Sequence, residues 1–225
     1  MSIKIKVCGM TNKNEIKKLE KLNIDRIGFI NIDRSKRNIP LNKINELNNV
    51  LNYKRTSTLV IEPENPYEVI LKANQIGIYN IQLHSLEYSE IRYIQWLNQY
   101  HNCENINVTK VIGLQDIITE EKKKEIERYS QFCDNILFDY IKNGKTGGTN
   151  TQIPIKTAIN ARNIVKNICK STEVTLAGGL NYEYIEENME NMKFFDRIDL
   201  NSGVEETPGR KNIDKIKEII EIIET

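Results

Sequence analysis

Eight short runs of β-branched and apolar residues recur along this 225-residue chain, and each is followed by a longer amphipathic stretch. The runs predict strands at 3–8, 26–31, 56–62, 79–84, 108–114, 135–140, 174–178 and 197–202. The stretches between them carry apolar residues at spacings of three and four and predict helices near 13–22, 41–52, 66–76, 88–100, 119–130, 156–169, 182–190 and 212–224. The repeating unit is therefore one strand followed by one helix.

The length of this unit favours a closed barrel. Dividing 225 residues among eight units gives about 28 each, which matches the strand, two loops and helix of a (β/α)8 barrel of roughly 250 residues. A doubly wound open sheet is the alternative, but the G-x-G-x-x-G fingerprint is absent after the first strand, where the chain reads Cys8-Gly9-Met10-Thr11. No linker interrupts the series, so we predict one α/β domain over residues 1–225, a single (β/α)8 TIM barrel.

The charge pattern and hydropathy exclude two classes of partner. The 32 Lys and Arg residues are intermixed with 31 Asp and Glu residues, so the chain has no basic face for nucleic acid. No segment approaches the roughly 20 apolar residues that span a bilayer, and the first residues lack the apolar core of a signal peptide. We therefore expect a soluble protein with neither nucleic-acid nor membrane partners.

Cysteine and histidine usage argues against metal and disulfide sites. The four cysteines are scattered without a C-x-x-C pair, and the two histidines are not at ligand spacing. These residues are Cys8, Cys103, Cys133 and Cys169, with His84 and His101. The pattern predicts a cytoplasmic protein with no bound metal.

In a barrel of this type, chemistry takes place at the carboxyl ends of the strands. Cys8 ends the first strand and is a candidate base or nucleophile, although a small buried apolar role is the commoner one for cysteine. Asp139 ends the sixth strand after an apolar run, where partial desolvation suits it to donate a proton. A turn or capping role for Asp139 is an equal alternative.

The loops after strands seven and eight are the candidates for phosphate binding. Gly178 and Gly179 follow the seventh strand, and Ser202 and Gly203 follow the eighth, where such barrels often bind phosphate through backbone N–H groups. Ordinary turns are the alternative. Gly144-Lys145-Thr146 is similar to the tail of a P-loop, but Asp139 stands where that motif needs its first glycine.

Two further strand ends carry polar candidates. The basic cluster Arg34-Ser35-Lys36-Arg37 follows strand two and could hold a carboxylate in a bidentate fork, although a solvated loop is slightly favoured. His84 ends strand four, where a hydrogen-bonded structural histidine is favoured over a ligand or base.

The strand ends together resemble one enzyme family nearly end to end, that of phosphoribosylanthranilate isomerase. The similarity is carried by Lys6-Val7-Cys8-Gly9-Met10-Thr11, Gly28-Phe29 with Ser35-Lys36-Arg37, Gln82-Leu83-His84, Leu137-Phe138-Asp139, Gly147-Gly148-Thr149, Leu176-Ala177-Gly178-Gly179-Leu180, and Ser202-Gly203-Val204-Glu205 with Pro208-Gly209. The opening and closing motifs are specific in this order and spacing. The loop from Gly148 onward departs from the family pattern, as do Asn31, Ser85 and Asn201.

The resemblance implies an Amadori rearrangement of N-(5-phosphoribosyl)anthranilate in tryptophan biosynthesis, without a cofactor. It implies that Asp139 is the general acid that opens the ribose ring and that Cys8 is the general base that removes the C2′ proton. Arg37 would bind the anthranilate carboxylate, and Gly178, Gly179, Ser202 and Gly203 would bind the 5′-phosphate. For Asp199, a contact to sugar hydroxyls and a structural role remain alternatives. The expected partner is a small phosphosugar, and the protein is expected to be a monomer or homodimer.

Three rival functions are weaker. The related isomerase of histidine biosynthesis uses paired aspartates and a second Gly-rich phosphate loop, whereas strand one here ends in Cys8. Ribulose-phosphate epimerase would need metal-binding histidines and acids at several strand ends, and this chain has only two histidines. A non-catalytic barrel that binds a phosphosugar or assembles with another tryptophan enzyme would need neither Cys8 nor Asp139.

Overall fold

A computed structural model describes residues 3–22, 24–100, 106–141 and 151–224. Eight strands form a closed barrel in chain order, with parallel pairing throughout and β8 paired to β1. They are β1 (Lys4–Val7), β2 (Arg26–Asn31), β3 (Ser57–Ile61), β4 (Asn80–Leu83), β5 (Asn107–Leu114), β6 (Asn135–Tyr140), β7 (Glu173–Leu176) and β8 (Arg197–Leu200). The predicted (β/α)8 TIM barrel is confirmed.

Helices connect successive strands on the outside of the barrel. They are α1 (Lys13–Leu19), α2 (Leu41–Asn48), α3 (Pro66–Ile76), α4 (Tyr88–Tyr100), α5 (Glu120–Ser130), α6 (Ile155–Ile168), α7 (Tyr182–Glu187), α8 (Met189–Met192) and α9 (Ile213–Glu224). Among the residues that the structure describes, no helix is long and apolar enough to cross a membrane.

Local sequence signals set the ends of these helices, as α3 illustrates. The Asn65 side chain accepts a hydrogen bond from the backbone N–H of Glu68 at 3.1 Å, and Pro66 occupies the first helical position. The helix ends at Gly77, which has a left-handed φ of +65°. The predicted helix at 66–76 therefore has the observed bounds.

The apolar core lies between the barrel and its helices, whereas the inside of the barrel is largely polar. Val7, Phe29 and Ile81 are fully buried among apolar side chains. Lys6 and Gln82, one residue away along their strands, are also buried but line the cavities inside the barrel. This division explains why the first strand alternates charged and apolar residues although both of its faces are covered.

Three details differ from the predicted elements. Helix α2 ends at Asn48 rather than at 52, and beyond it the N–H groups of Val50 and Leu51 donate to the carbonyls three residues earlier, in turns. The predicted helix at 182–190 is divided into α7 and α8 at Asn188. An antiparallel hairpin of β9 (Glu205–Thr207) and β10 (Arg210–Lys211) follows β8 and was not predicted.

Candidate active site

The carboxyl ends of the barrel strands surround a cleft of about 280 Å³. Seven of the eight predicted site residues line it, namely Cys8, Arg37, Asp139, Gly178, Gly179, Asp199 and Ser202. The eighth, Gly203, packs instead against the backbone carbonyl of Leu180. The structure therefore brings side chains from β1, β6 and β8 and from three loops to one small space.

A second cavity, of about 690 Å³, opens at the opposite end of the barrel. Its polar side chains are engaged within the protein: Asn135 exchanges hydrogen bonds with Thr175, and Arg197 pairs with two carboxylates. Gln82 and Leu137 line both cavities, so a single layer of side chains separates them. The candidate chemistry lies in the cleft at the carboxyl ends.

Cys8 is buried at the end of β1, directly across from Gly28 in the neighbouring strand. Its backbone N–H donates to the carbonyl of Leu200 at 2.9 Å. A Cβ at position 28 would lie 2.7 Å from the Cys8 sulfur, so only glycine leaves room for the thiol. Burial raises the pKa of the Cys8 thiol, while the ammonium groups of Lys6 and Lys211 act in the opposite direction.

A hydrogen-bonded chain of polar side chains lies beneath Cys8. Lys6 Nζ donates to Asp199 Oδ2 at 2.6 Å and to Gln82 Oε1 at 2.7 Å. The Gln82 amide nitrogen is 3.2 Å from His84 Nε2, which must then accept, so the imidazole proton belongs on Nδ1. Asp199 Oδ1 is buried and has no hydrogen-bond partner among the described residues.

Burial and nearby cations lower the pKa of His84 to about 3, so the imidazole is neutral. The sequence prediction assigned no role to Lys6 or Gln82. The two-residue period of a strand could have indicated both residues. Lys6 precedes Cys8 by two positions and Gln82 precedes His84 by two, so each pair lies on the same face of its strand.

Asp139 lies on the wall formed by β6 and is 7% exposed. Its Oδ1 accepts a hydrogen bond from the backbone N–H of Tyr140 at 2.8 Å. A Cβ on Gly178 would lie 3.1 Å from that same oxygen, so the glycine allows the carboxyl group and the loop after β7 to meet closely. Asp134, at the other end of β6, instead accepts from the backbone N–H of Val108 at 2.8 Å.

The basic cluster after β2 is divided between two acids. Arg37 Nε donates to both carboxylate oxygens of Glu205, at 2.8 and 3.1 Å, and Arg37 Nη2 donates to the same group. Arg37 Nη1 has no acceptor among the described residues. Arg34 pairs with Glu62 in a similar fork. The Nη1 group of Arg37 can therefore donate to a ligand in the cleft.

Glu205 also accepts from Lys211 Nζ at 2.8 Å and from the Gly209 backbone at 3.0 Å. Burial alone would raise the pKa of Glu205, but Arg37 and Lys211 hold it below the usual value. The unpredicted hairpin thus supplies both the acid that orients Arg37 and a second buried cation.

The loops after β7 and β8 present unpaired backbone donors. Gly178 and Gly179 have left-handed φ values of +95° and +60°. Within the described part of the chain, the N–H groups of Gly178, Gly179 and Gly203 donate to no protein acceptor. A Cβ on Gly203 would come within 2.0 Å of the Leu180 carbonyl oxygen, so the two loops are in direct contact. Together, the N–H groups of these two loops can bind an anion.

Some predicted features lie outside the described residues. These are Gly144-Lys145-Thr146 and Gly147-Gly148-Thr149 in 142–150, and His101 and Cys103 in 101–105. Within the described ranges, no group of three or more His, Cys, Asp or Glu residues is placed to hold a metal ion.

Comparison with known proteins adds family and fold. The family model described as N-(5'phosphoribosyl)anthranilate (PRA) isomerase matches residues 5–222. An N-(5'-phosphoribosyl)anthranilate isomerase from Petrotoga mobilis is 32% identical, covering 98% of this chain and 97% of that protein. The corresponding protein from Methanothermobacter marburgensis is 29% identical, and the match covers 99% of this chain and 95% of that protein.

Solved structures agree in fold. A crystal structure of phosphoribosyl anthranilate isomerase from Thermotoga maritima superposes with a TM-score of 0.78 at 24% identity, covering 99% of this chain and 98% of that one. A second structure, of a phosphoribosyl anthranilate isomerase in complex with reduced 1-(o-carboxyphenylamino)-1-deoxyribulose 5-phosphate, gives a TM-score of 0.77 at 23% identity with the same coverage.

Proposed function

The chain belongs to the N-(5'-phosphoribosyl)anthranilate isomerase family, and from that membership we infer that it catalyses the Amadori rearrangement of N-(5-phosphoribosyl)anthranilate in tryptophan biosynthesis. The observation that carries this proposal is the single cleft of about 280 Å³ in which Cys8 and Asp139 lie with Arg37 and the loops after β7 and β8. A substrate with a carboxylate at one end and a phosphate at the other matches these groups.

The proposed reaction moves two protons. Protonated Asp139 gives a proton to the ribose ring oxygen, the C1′–O bond breaks, and the sugar opens to a protonated Schiff base. The Cys8 thiolate then removes the C2′ proton to leave an enolamine, which tautomerises to the ketose product. Every step is a proton transfer or a rearrangement within the substrate, so we propose that no cofactor takes part.

Binding uses the donors and acceptor that the protein leaves unpaired. We assign the anthranilate carboxylate to Arg37, whose Nη1 has no described acceptor while Glu205 fixes the rest of the guanidinium. The 5′-phosphate is assigned to Gly178, Gly179, Ser202 and Gly203. Asp199 Oδ1, buried and without a partner among the described residues, is assigned to a sugar hydroxyl.

We extend the proposal to the whole chain as one domain that works in the cytoplasm as a monomer or homodimer. The described cysteines Cys8, Cys133 and Cys169 are free thiols, which suits a reducing compartment. One related structure is of an isomerase described as dimeric, from Thermotoga maritima.

The test follows the loss of anthranilate fluorescence when purified protein is mixed with the substrate. We expect turnover by the wild type and losses in kcat of about 10² to 10⁴ for each of Cys8→Ala and Asp139→Asn. Full activity in either variant would remove that residue from the mechanism. An inactive wild type that still bound the reduced product analogue would favour the non-catalytic barrel.

A further inference from the structure

A buried lysine that the reaction itself does not use lies directly below the cysteine. Lys6 and Cys8 are two residues apart around β1, so both side chains point into the barrel. The Lys6 side chain is only 4% exposed. Burying an ammonium group this deeply is costly unless charged and polar partners compensate it, so its place in the barrel calls for an explanation.

The partners of Lys6 fix where its charge lies. The ammonium group has three N–H donors. Two are taken by Asp199 Oδ2 at 2.6 Å and Gln82 Oε1 at 2.7 Å, and the positive charge also attracts the Cys8 thiolate. The attraction of Asp199 and Cys8 outweighs burial and raises the pKa of Lys6, so it stays protonated.

We propose that Lys6 is a positioning residue for the rearrangement: its ammonium group, held by Asp199 and Gln82, stabilises the thiolate of Cys8 that acts as the base. The inference rests on the proposed role of Cys8 and adds a group that favours this role in a buried site. Burial raises the pKa of the Cys8 thiol, and the ammonium group of Lys6 opposes that rise, so the thiolate forms more readily than it would without a cation below it.

Other charges near the sulfur set the limits of this effect. The charged and titratable side chains that line the cleft or pair with its walls are Lys6, Arg34, Lys36, Arg37, Glu62, His84, Asp139, Asp199, Glu205 and Lys211. Lys211 also favours the thiolate, but its ammonium group is bound by Asn201 and Glu205. Of the two lysines, Lys6 lowers the pKa of the Cys8 thiol more than Lys211 does.

The test measures the Cys8 thiolate in the free enzyme, without substrate. Alkylation by iodoacetamide is followed against pH by mass spectrometry of the peptide that contains Cys8, which separates it from the other thiols. In Lys6→Met the apparent pKa of Cys8 is expected to rise by about one unit or more, because Asp199 is left as an uncompensated anion nearby. The acidic limb of kcat/KM should move by the same amount, which is about a tenfold loss at pH 7.

Two further variants make the result decisive. Asp199→Asn is expected to shift the Cys8 pKa in the opposite direction, because the thiolate becomes the counter-ion of Lys6. Lys110→Met removes another buried lysine, which is 6% exposed and bound to backbone carbonyls and the Tyr129 ring, and is expected to leave the Cys8 pKa unchanged.

An unchanged alkylation profile in folded Lys6→Met would overturn the inference. If Lys6→Met does not fold, an unchanged or raised pKa in Asp199→Asn would overturn it instead. The alkylation assay needs no turnover, so its outcome is separate from that of the proposed function. An inactive wild type with the expected shifts would refute the reaction and leave the lysine–thiolate coupling in place.

Discussion

Replacing Gly28 by alanine tests how closely the position of the Cys8 sulfur is set. The new Cβ would lie 2.7 Å from Cys8 Sγ, 3.1 Å from its Cα and 3.2 Å from its Cβ. Ordinary contact begins near 3.4 Å, so the sulfur must move by about 0.7 Å. Two of the three contacts are to the base of the cysteine, so rotation of its side chain alone does not relieve the clash.

A displacement near 1 Å of a reacting group costs about 10²-fold in rate, so we expect kcat of Gly28→Ala to fall by about two orders of magnitude. KM should change little, because Arg37 and the loops after β7 and β8, to which substrate binding is assigned, are untouched. Overpacking should also lower the free energy of unfolding by about 1–3 kcal/mol. Steady-state fluorescence kinetics and a denaturant titration measure the two effects.

Gly77→Ala is the matched control. Gly77 ends α3, is not among the residues that line the cleft and, unlike Gly28, has no heavy atom within 4 Å of the position of an added Cβ. It should lose some stability because of its positive φ but keep wild-type kcat. Wild-type kcat in folded Gly28→Ala would refute the reasoning, as would a loss confined to KM.

Two other perturbations address charge. Glu205→Gln should raise KM by loosening Arg37 and should lower the free energy of unfolding by about 3–5 kcal/mol, because it leaves buried cations without their anion; unchanged KM and stability would contradict this. For His84 the folded pKa of about 3 lies below the ordinary value of 6.5, so its contribution to stability is present above pH 6.5 and is lost as the pH falls toward 3. Between pH 7 and pH 4 that loss is at most about 3 kcal/mol, and urea titrations of wild type and His84→Gln should show a flatter acid slope in the variant.

Much of the architecture could be predicted because each strand and helix carries its own periodic signal. The strands at 26–31 and 135–140 and the helices at 66–76 and 88–100 have the predicted bounds. The cleft residues could be placed because parallel strands of a barrel bring their carboxyl ends to one face. Neither argument requires knowledge of distant contacts.

The β9–β10 hairpin could not be predicted in the same way. Its strands have three and two residues, too few for a period, and only the Pro208-Gly209 turn signals it. The role of Glu205 as the partner of Arg37 depends on residues 168 positions apart in the chain. The Lys6–Asp199 pair joins residues 193 positions apart, and it becomes visible only when the barrel closes.

The side-chain layer formed by Gln82 and Leu137 has a further consequence for product yield. An imine is hydrolysed wherever water gains access to its carbon, and on the far side of that layer from the cleft lies the second cavity of about 690 Å³. Shortening the side chains of this layer would let water enter from the second cavity and release free anthranilate from the opened sugar. In the proposed reaction, this layer in the middle of the strands limits the entry of water from the second cavity, while the groups at the strand ends act on the substrate.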